Sequence, residues 1–379
     1  MILLKGGLVY DAIHEPRRAD IRMEGGKITE IGEGLVSGGG EVIDVSGLNV
    51  YPGFVECHGH SGLDGSGIGY EGQDYNEYND IISPQLRAID AIEPRDEALK
   101  EAREAGVTCM NIGPGSANVL GGTFAAIKPV GRRIDDMCVK KETAMKCAFG
   151  ENPKRCYRDK GDSTRMSTAA KLREMLFKAR EYARRIDEAG DDLSKLPPFD
   201  MKLQALVPVI RGELPLKAHA HQANDLFTAI RIAKEFGVGL TLEHVTEGHL
   251  IAEDLAKEGY MLAVGPTLGH PTKFELREKS WITPGVLAKA GCHVSIITDS
   301  PVIPQKYLPL CAGLAVKAGM DRMEALKAVT IHPAEHIGIA DRVGSIEVGK
   351  DADIAVFEGD PFEVSGRARY VFINGEDVL

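Results

Sequence analysis

The sequence predicts an α/β protein: a (β/α)8 TIM-like barrel with a small composite β-sandwich domain built from both termini. Two patterns carry the prediction. Strand-like and helix-like segments alternate through about 290 residues in the middle of the chain, and repeated βα units favour a closed barrel over an open doubly wound sheet. Both ends read instead as short strands between glycine turns, which suggests one discontinuous sheet domain with the termini close together. A third observation removes a rival: no GxGxxG follows the first strand, so a dinucleotide-binding fold has little support.

Taken in order, residues 1–4, 7–10, 20–23, 27–31 and 41–45 are the first strands, with Gly25-Gly26 and Gly38-Gly39-Gly40 as turns. A strand at 107–112 follows a helix that opens at Pro94 and stops at Gly106, and 143–149 is another strand. Leu172, Leu176, Ala179, Ala183 and Ile186 recur at helical spacing within 167–189, which ends at Gly190. Strands then fall at 214–220, 238–244, 260–264 and 293–298, with helices over 224–236 and 247–258 after the first two. Strands at 344–348, 353–357 and 369–374 return the chain to the terminal sheet. The expected division is 1–50 and 343–379 for the β-sandwich and 51–342 for the barrel.

Composition narrows the function. A hydrophobic share of 43% and a charged share of 27% are ordinary for a soluble globular protein. The net charge of −11 argues against a nucleic-acid surface. The basic run from Arg180 to Arg185 sits on an amphipathic helix and reads as a solvated face. Seven cysteines without CxxC or zinc-finger spacing fit reduced thiols and a cytoplasmic location. Met1-Ile2-Leu3-Leu4 is too short for a signal-peptide core, and no apolar run approaches membrane-spanning length, so no membrane association is expected.

The chemistry is concentrated at the ends of the predicted strands. Pro52-Gly53-Phe54-Val55-Glu56-Cys57-His58-Gly59-His60 carries two imidazoles at i and i+2, which point to the same side of an extended segment and could bind one cation. His219 and His221 end the 214–220 strand, His244 ends the next, and Asp299 follows the last. Lys146 lies in the strand that leads into Gly150-Glu151-Asn152. Barrel strand ends converge on one mouth, so these stations meet there. Three or more nitrogen ligands with carboxylates suit zinc or a similar divalent metal.

On these residues the chain resembles the amidohydrolase superfamily, nearest to its imidazolonepropionase-like and prolidase-like members. The matching pieces are the HxH after Pro52-Gly53-Phe54, then Lys217-Ala218-His219-Ala220-His221, Leu242-Glu243-His244 and Thr298-Asp299. The segment Val343-Gly344-Ser345-Ile346-Glu347-Val348-Gly349-Lys350-Asp351-Ala352-Asp353 also resembles the family's return to its terminal sheet. The resemblance implies that His58, His60 and Asp299 hold one metal and that His219 and His244 hold a second. A carboxylated lysine or a glutamate would bridge them; Lys146 and Glu151 compete, and strand placement favours Lys146. It implies two zinc ions, with manganese, iron or nickel as alternatives, and hydrolysis of an amide or cyclic C–N bond by metal-activated hydroxide with Asp299 as proton carrier. The expected substrate is a small molecule bearing a carboxylate, and a homo-oligomer is expected.

His221 is a ligand alternative or a substrate contact, and His270 is a candidate for lining the mouth. Asn152, Lys154 and Arg155 follow Glu151 with two cations that suit a substrate carboxylate, although exposed Lys and Arg commonly do nothing specific. The run from Asn111 to Gly122 reads as a carboxylate cradle or only a tight loop with φ > 0 positions. Cys57 points away from the metal pair and reads as packing. His249 and His332 read as structural; His14, His293 and His336 belong to no constellation. Two rival functions remain. A deaminase of the same superfamily commonly places a helix glutamate after the strand-5 histidine, and none lies near His219-Ala220-His221-Gln222. A catalytically silent scaffold would be expected to lose ligands, whereas every station is filled.

Overall fold

The computed structural model describes residues 1–67, 69–161 and 163–379, and its strands form two eight-stranded sheets. The first joins both termini. Its strands are β1 (Ile2–Val9), β2 (Arg17–Glu24), β3 (Lys27–Gly32), β4 (Glu41–Asp44) and β5 (Asn49–Pro52), with β14 (Ile354–Glu358), β15 (Arg367–Ile373) and β16 (Glu376–Asp377) from the other end. β5 is antiparallel to β14, with Val50 opposite Val356, and this pairing closes the discontinuous sheet. Leu4, Val9, Ile21, Ile28, Val50, Ile354, Val356 and Phe372 alternate inward as a core of their own. Residues 1–4 and 7–10 merge into one bulged strand, since the register shifts between Leu4 and Gly7 without breaking.

The second sheet is the nearly closed barrel. It runs through β6 (Phe54–Gly59), β7 (Val107–Ile112), β8 (Leu120–Ile127), β9 (Cys138–Ala148), β10 (Leu216–Ala220), β11 (Leu240–His244), β12 (Met261–Val264) and β13 (Val294–Ile296). The gap between β13 and β6 is spanned by the segment before Thr330: Val55 N–H donates to Val329 O at 2.9 Å and Ile296 N–H to Ala328 O at 2.8 Å.

The regular (β/α)8 expectation needs correction. β8 is antiparallel to both β7 and β9, so the third strand runs against the others and interrupts the βα repeat. The predicted strand at 344–348 is absent as well. Gly344 turns at φ 94°, and the segment's backbone bond to the terminal sheet side is Ile346 N–H to Asp11 O at 3.2 Å, not a ladder.

The helices follow local rules. Helix Arg165–Ala189 opens on a capping box between Thr164 and Ser167 and stops at Gly190, where φ is 53°. Its Leu172, Leu176 and Ala179 share one core with Leu216, Ala218 and Ala220 of β10, between barrel and helices. That outward set fixes the alternation, leaving Lys217 and His219 to face the barrel interior. All seven cysteines are free thiols, and Cys57 is buried as packing. Among the described residues no helix is long and apolar enough to cross a membrane.

Candidate metal centre

Five strands deliver one polar cluster to the barrel mouth. His58 from β6 and His60 just beyond it lie 3.6 and 3.2 Å, through their Nε2 atoms, from Asp299 Oδ1. Lys146 Nζ, from β9, stands 3.2 Å from His58 Nε2. The His244 ring, ending β11, is 4.9 Å from His58 and 4.3 Å from His219 between centroids. His58, His244 and Asp299 each bring a donor atom within 4.8 Å of the others; so do His219, His221 and His244. His244 thus belongs to both sets. Glu56 ties β6 to the end of β13, accepting from Thr298 N at 2.9 Å, Thr298 Oγ1 at 2.6 Å and His58 N at 3.2 Å. Burial pushes its carboxyl up to about 8 against those donors.

The tautomers of three rings are set from behind. His58 Nδ1 bonds Glu243 at 2.9 Å, His60 Nδ1 donates to Gly113 O at 2.7 Å, and His244 Nδ1 donates to Gly265 O at 2.9 Å. Each leaves Nε2 as the lone-pair atom, an arrangement that orients imidazoles toward metal. Burial, with Lys146 adding to it for His58, holds His58, His219 and His221 well below the usual imidazole range, and burial takes His244 down to about 4. The rings are therefore neutral donors near neutral pH. Burial would raise Asp299, but His244, His60 and His58 outweigh it and hold the carboxyl well below the usual range. Burial brings Lys146 down to about 8 against the pull of Asp299 and Glu243.

The donors fit a divalent cation. Both nitrogens of His219 and Nε2 of His244 are buried without a hydrogen-bond partner. Each such atom costs about 1–3 kcal/mol. Imidazole nitrogens stranded beside a carboxylate are the donor set that zinc and its neighbours satisfy. Backbone strain points the same way: His244 and Asp299 sit at φ 75° and 53°, left-handed conformations that cost of order 1–3 kcal/mol each and cluster at functional sites.

The other expected residues divide. His221 joins the cluster, with Nδ1 bonded to Thr246 Oγ1 at 2.7 Å and Nε2 3.7 Å from Glu275. Asn152 and Arg155 line a cleft of about 360 Å3 that also contains His60, His219, His221, Lys273 and Asp299. Lys154 lies half-buried on the same turn but outside that lining. His270 does not reach it either: the residue is exposed, and its carbonyl accepts from Lys279 at 3.3 Å. Glu151 is turned to the 273–276 loop, where its carboxylate takes Glu275 N–H at 3.3 Å, so Lys146 alone of the two bridging candidates stands against the histidines. In the Asn111–Gly122 run, Gly115, Ser116 and Ala117 line the cleft, and Gly122 turns at φ 108°. Gly113 supplies the carbonyl for His60, and the segment from Leu120 onward is strand.

Sequence reasoning missed the groups beneath the cluster. Glu243 is fully buried and accepts from Lys217 Nζ at 2.8 Å, His336 Nε2 at 2.8 Å and Thr241 Oγ1 at 2.7 Å besides bonding His58. His336 therefore belongs to the site's support rather than to surface or packing. Glu275 and Lys273, joined at 2.6 Å, close one side of the cleft. A signal existed for Lys217: period two puts it on the same face as His219.

A barrel whose mouth gathers imidazoles, a lysine and an aspartate from separate strands is an α/β-barrel protein with a candidate metal site at the strand ends. The profile of the Amidohydrolase family matches residues 211–378. The crystal structure of an amidohydrolase from Thermotoga maritima MSB8 superposes with a TM-score of 0.97 at 37% identity over 100% of both chains. Amidohydrolase TasK of Hapsidospora irregularis is 29% identical over 94% of this chain, which spans 39% of that relative's length. Imidazolonepropionase of Sphingopyxis alaskensis is 24% identical over 86% of this chain and 82% of its own. The chain belongs to the amidohydrolase superfamily, and with it to the hydrolases acting on carbon–nitrogen bonds other than peptide bonds.

Proposed function

We propose that this chain is a metal-dependent amidohydrolase that cleaves an amide or cyclic C–N bond of a small, carboxylate-bearing substrate. The observation that carries the reading is the set of imidazoles whose Nδ1 atoms are occupied from behind, with Nε2 of His58 and His60 facing Asp299, Nε2 of His58 also beside Lys146, and Nε2 of His244 buried without a partner. His58, His60 and Asp299 would hold one divalent ion and His219 and His244 a second, with zinc favoured over manganese, iron or nickel. Such ions, when bound, lower the pKa of water from 15.7 to about 7 and polarise a carbonyl oxygen.

The chain's own groups do the rest. Lys146 is only modestly basic, so a free amine is present to add carbon dioxide at Nζ and release a proton, turning a cation into a carboxylate between the two ligand sets. Asp299, ionised and reaching the cleft, accepts a proton from the attacking water and returns it to the leaving nitrogen. Arg155, with Asn152 beside it, offers the substrate carboxylate its partner. The imidazolonepropionase relatives favour a cyclic bond.

The test is metal counting combined with a panel of cyclic amides and N-acyl amino acids. Chelation should abolish hydrolysis and added zinc restore it, and Lys146→Ala should bind at least one ion fewer. Full activity in metal-stripped protein would overturn the reading. Ammonia released from amino-heterocycles, with no amide cleaved, would replace it by a deaminase.

A further inference from the structure

A second group of metal-binding side chains lies at the other end of the strand that leads to Asp299. His293 immediately precedes β13; His332 and Glu335 stand three residues apart on the helix Ile331–His336 and so share one of its faces. One donor atom from each of the three lies within 4.8 Å of the other two. His293 Nε2 is 2.5 Å from Glu335 Oε2, and the His293 and His332 rings are 4.2 Å apart. His332 Nδ1 donates to Val294 O at 3.0 Å, which fixes its tautomer and leaves Nε2 with the lone pair. His293 Nδ1 is buried with no partner.

A histidine–glutamate ion pair accounts for the 2.5 Å contact and for nothing else in this group. It leaves unexplained why a second imidazole, its tautomer set by a backbone carbonyl, packs against the first. Nor does it explain an imidazole nitrogen shut away from water and unbonded. Two imidazoles, of which His332 is oriented from behind, and a carboxylate, half-open to solvent, are three protein ligands, leaving a fourth position to water.

We propose that His293, His332 and Glu335 form a separate structural site for one divalent transition-metal ion of the zinc class, which pins the helix Ile331–His336 to the start of β13. The location gives the pin a purpose. The same helix carries His336, which donates to Glu243, and Glu243 orients His58. An ion bound here would stabilise the fold by mass action and steady the support of the catalytic cluster from behind.

The test uses the holoenzyme with its mouth already loaded, titrated with zinc and counted by elemental analysis. Wild type should take up one further equivalent per chain and gain thermal stability as it does so. His293→Asn and Glu335→Gln should each weaken that extra equivalent at least tenfold, with the original metal content unchanged. Copper(II) in place of the added zinc should show superhyperfine coupling to two nitrogens, reduced to one in His293→Asn. No further equivalent in wild type, or an equivalent that both variants retain, would overturn the proposal. Should His293→Asn not fold, Glu335→Gln at the exposed edge decides alone. A mouth that binds no metal, beside an extra equivalent lost in the variants, would sink the functional reading and leave this site standing.

Discussion

Glu243 ties together four groups beneath the candidate centre. Its two oxygens face Lys217, His58, His336 and Thr241 inside a barrel that usually holds branched apolar side chains. Burial alone would raise its carboxyl; Lys217 and His336 overcome that and hold it well below the usual range. Glu243→Gln keeps the shape but offers an amide N–H where only acceptors fit, against a lysine and an imidazole N–H. Metal affinity and kcat/KM should fall by about 10–100-fold, the usual effect of losing such an orienting group. Circular dichroism should show the fold kept at moderate temperature. Unchanged metal affinity in a folded Glu243→Gln protein would mean that His58 needs no orienting carboxylate. The ligand-type residues were legible in the sequence because HxH spacing and strand-end position are local facts. Glu243 was not: its partner His58 is 185 residues away, and a glutamate beside a histidine looks like any strand end until the barrel closes.

Elements were read well where their pattern was periodic and poorly where glycine hid a strand. No strand is expected over β8, whose Gly121-Gly122 reads with the loop before it, yet Gly122 is needed there: it has φ 108°, and a Cβ would meet Leu86 O at 2.3 Å. The strand matters because Phe124 lies under the site, 5.3 Å from the His58 ring and 6.2 Å from His60 between centroids. Gly113, at the end of β7, is pressed against that ring, and a Cβ added to it would sit 2.2 Å from Phe124 Cγ. Gly113→Ala must therefore displace the ring or the carbonyl that holds His60, at about 1–3 kcal/mol. Phe124→Ala, which has no atom beyond Cβ, removes the obstacle. In urea unfolding the double variant should be less destabilised than the sum of the two single changes. Strict additivity would show that the two residues do not press on each other.

At the scale of the whole molecule, the joining of the termini was legible because glycine-punctuated strands at both ends need partners. What bolts that sheet to the barrel was not, since it is a buried ion cluster drawn from three distant segments. Lys128, at the end of β8 and 4% exposed, reaches Asp351 at 2.8 Å, Asp353 at 2.8 Å and Asn374 at 2.6 Å. Lys27 and Arg342 complete the shell around Asp351. Lys128→Met should cost about 3–5 kcal/mol at pH 7, because two buried carboxylates lose their shared cation. The pH dependence follows from the carboxyl values. Burial would raise Asp351, but Lys128, Lys27 and Arg342 bring it from 3.8 to about 2. A depressed acid stabilises the fold above its unfolded value and loses that contribution as pH falls through the folded one, here from about 4 to about 2. Asp353 has the opposite sign: burial raises it despite Lys128, so its protonation relieves strain as pH falls. Both effects remove what Lys128 contributes in acid. The Tm gap between wild type and Lys128→Met should therefore be widest near neutrality and narrow below about pH 4. A gap that stays constant from pH 7 to pH 3 would show that Lys128 acts through packing of its methylene stem rather than through charge.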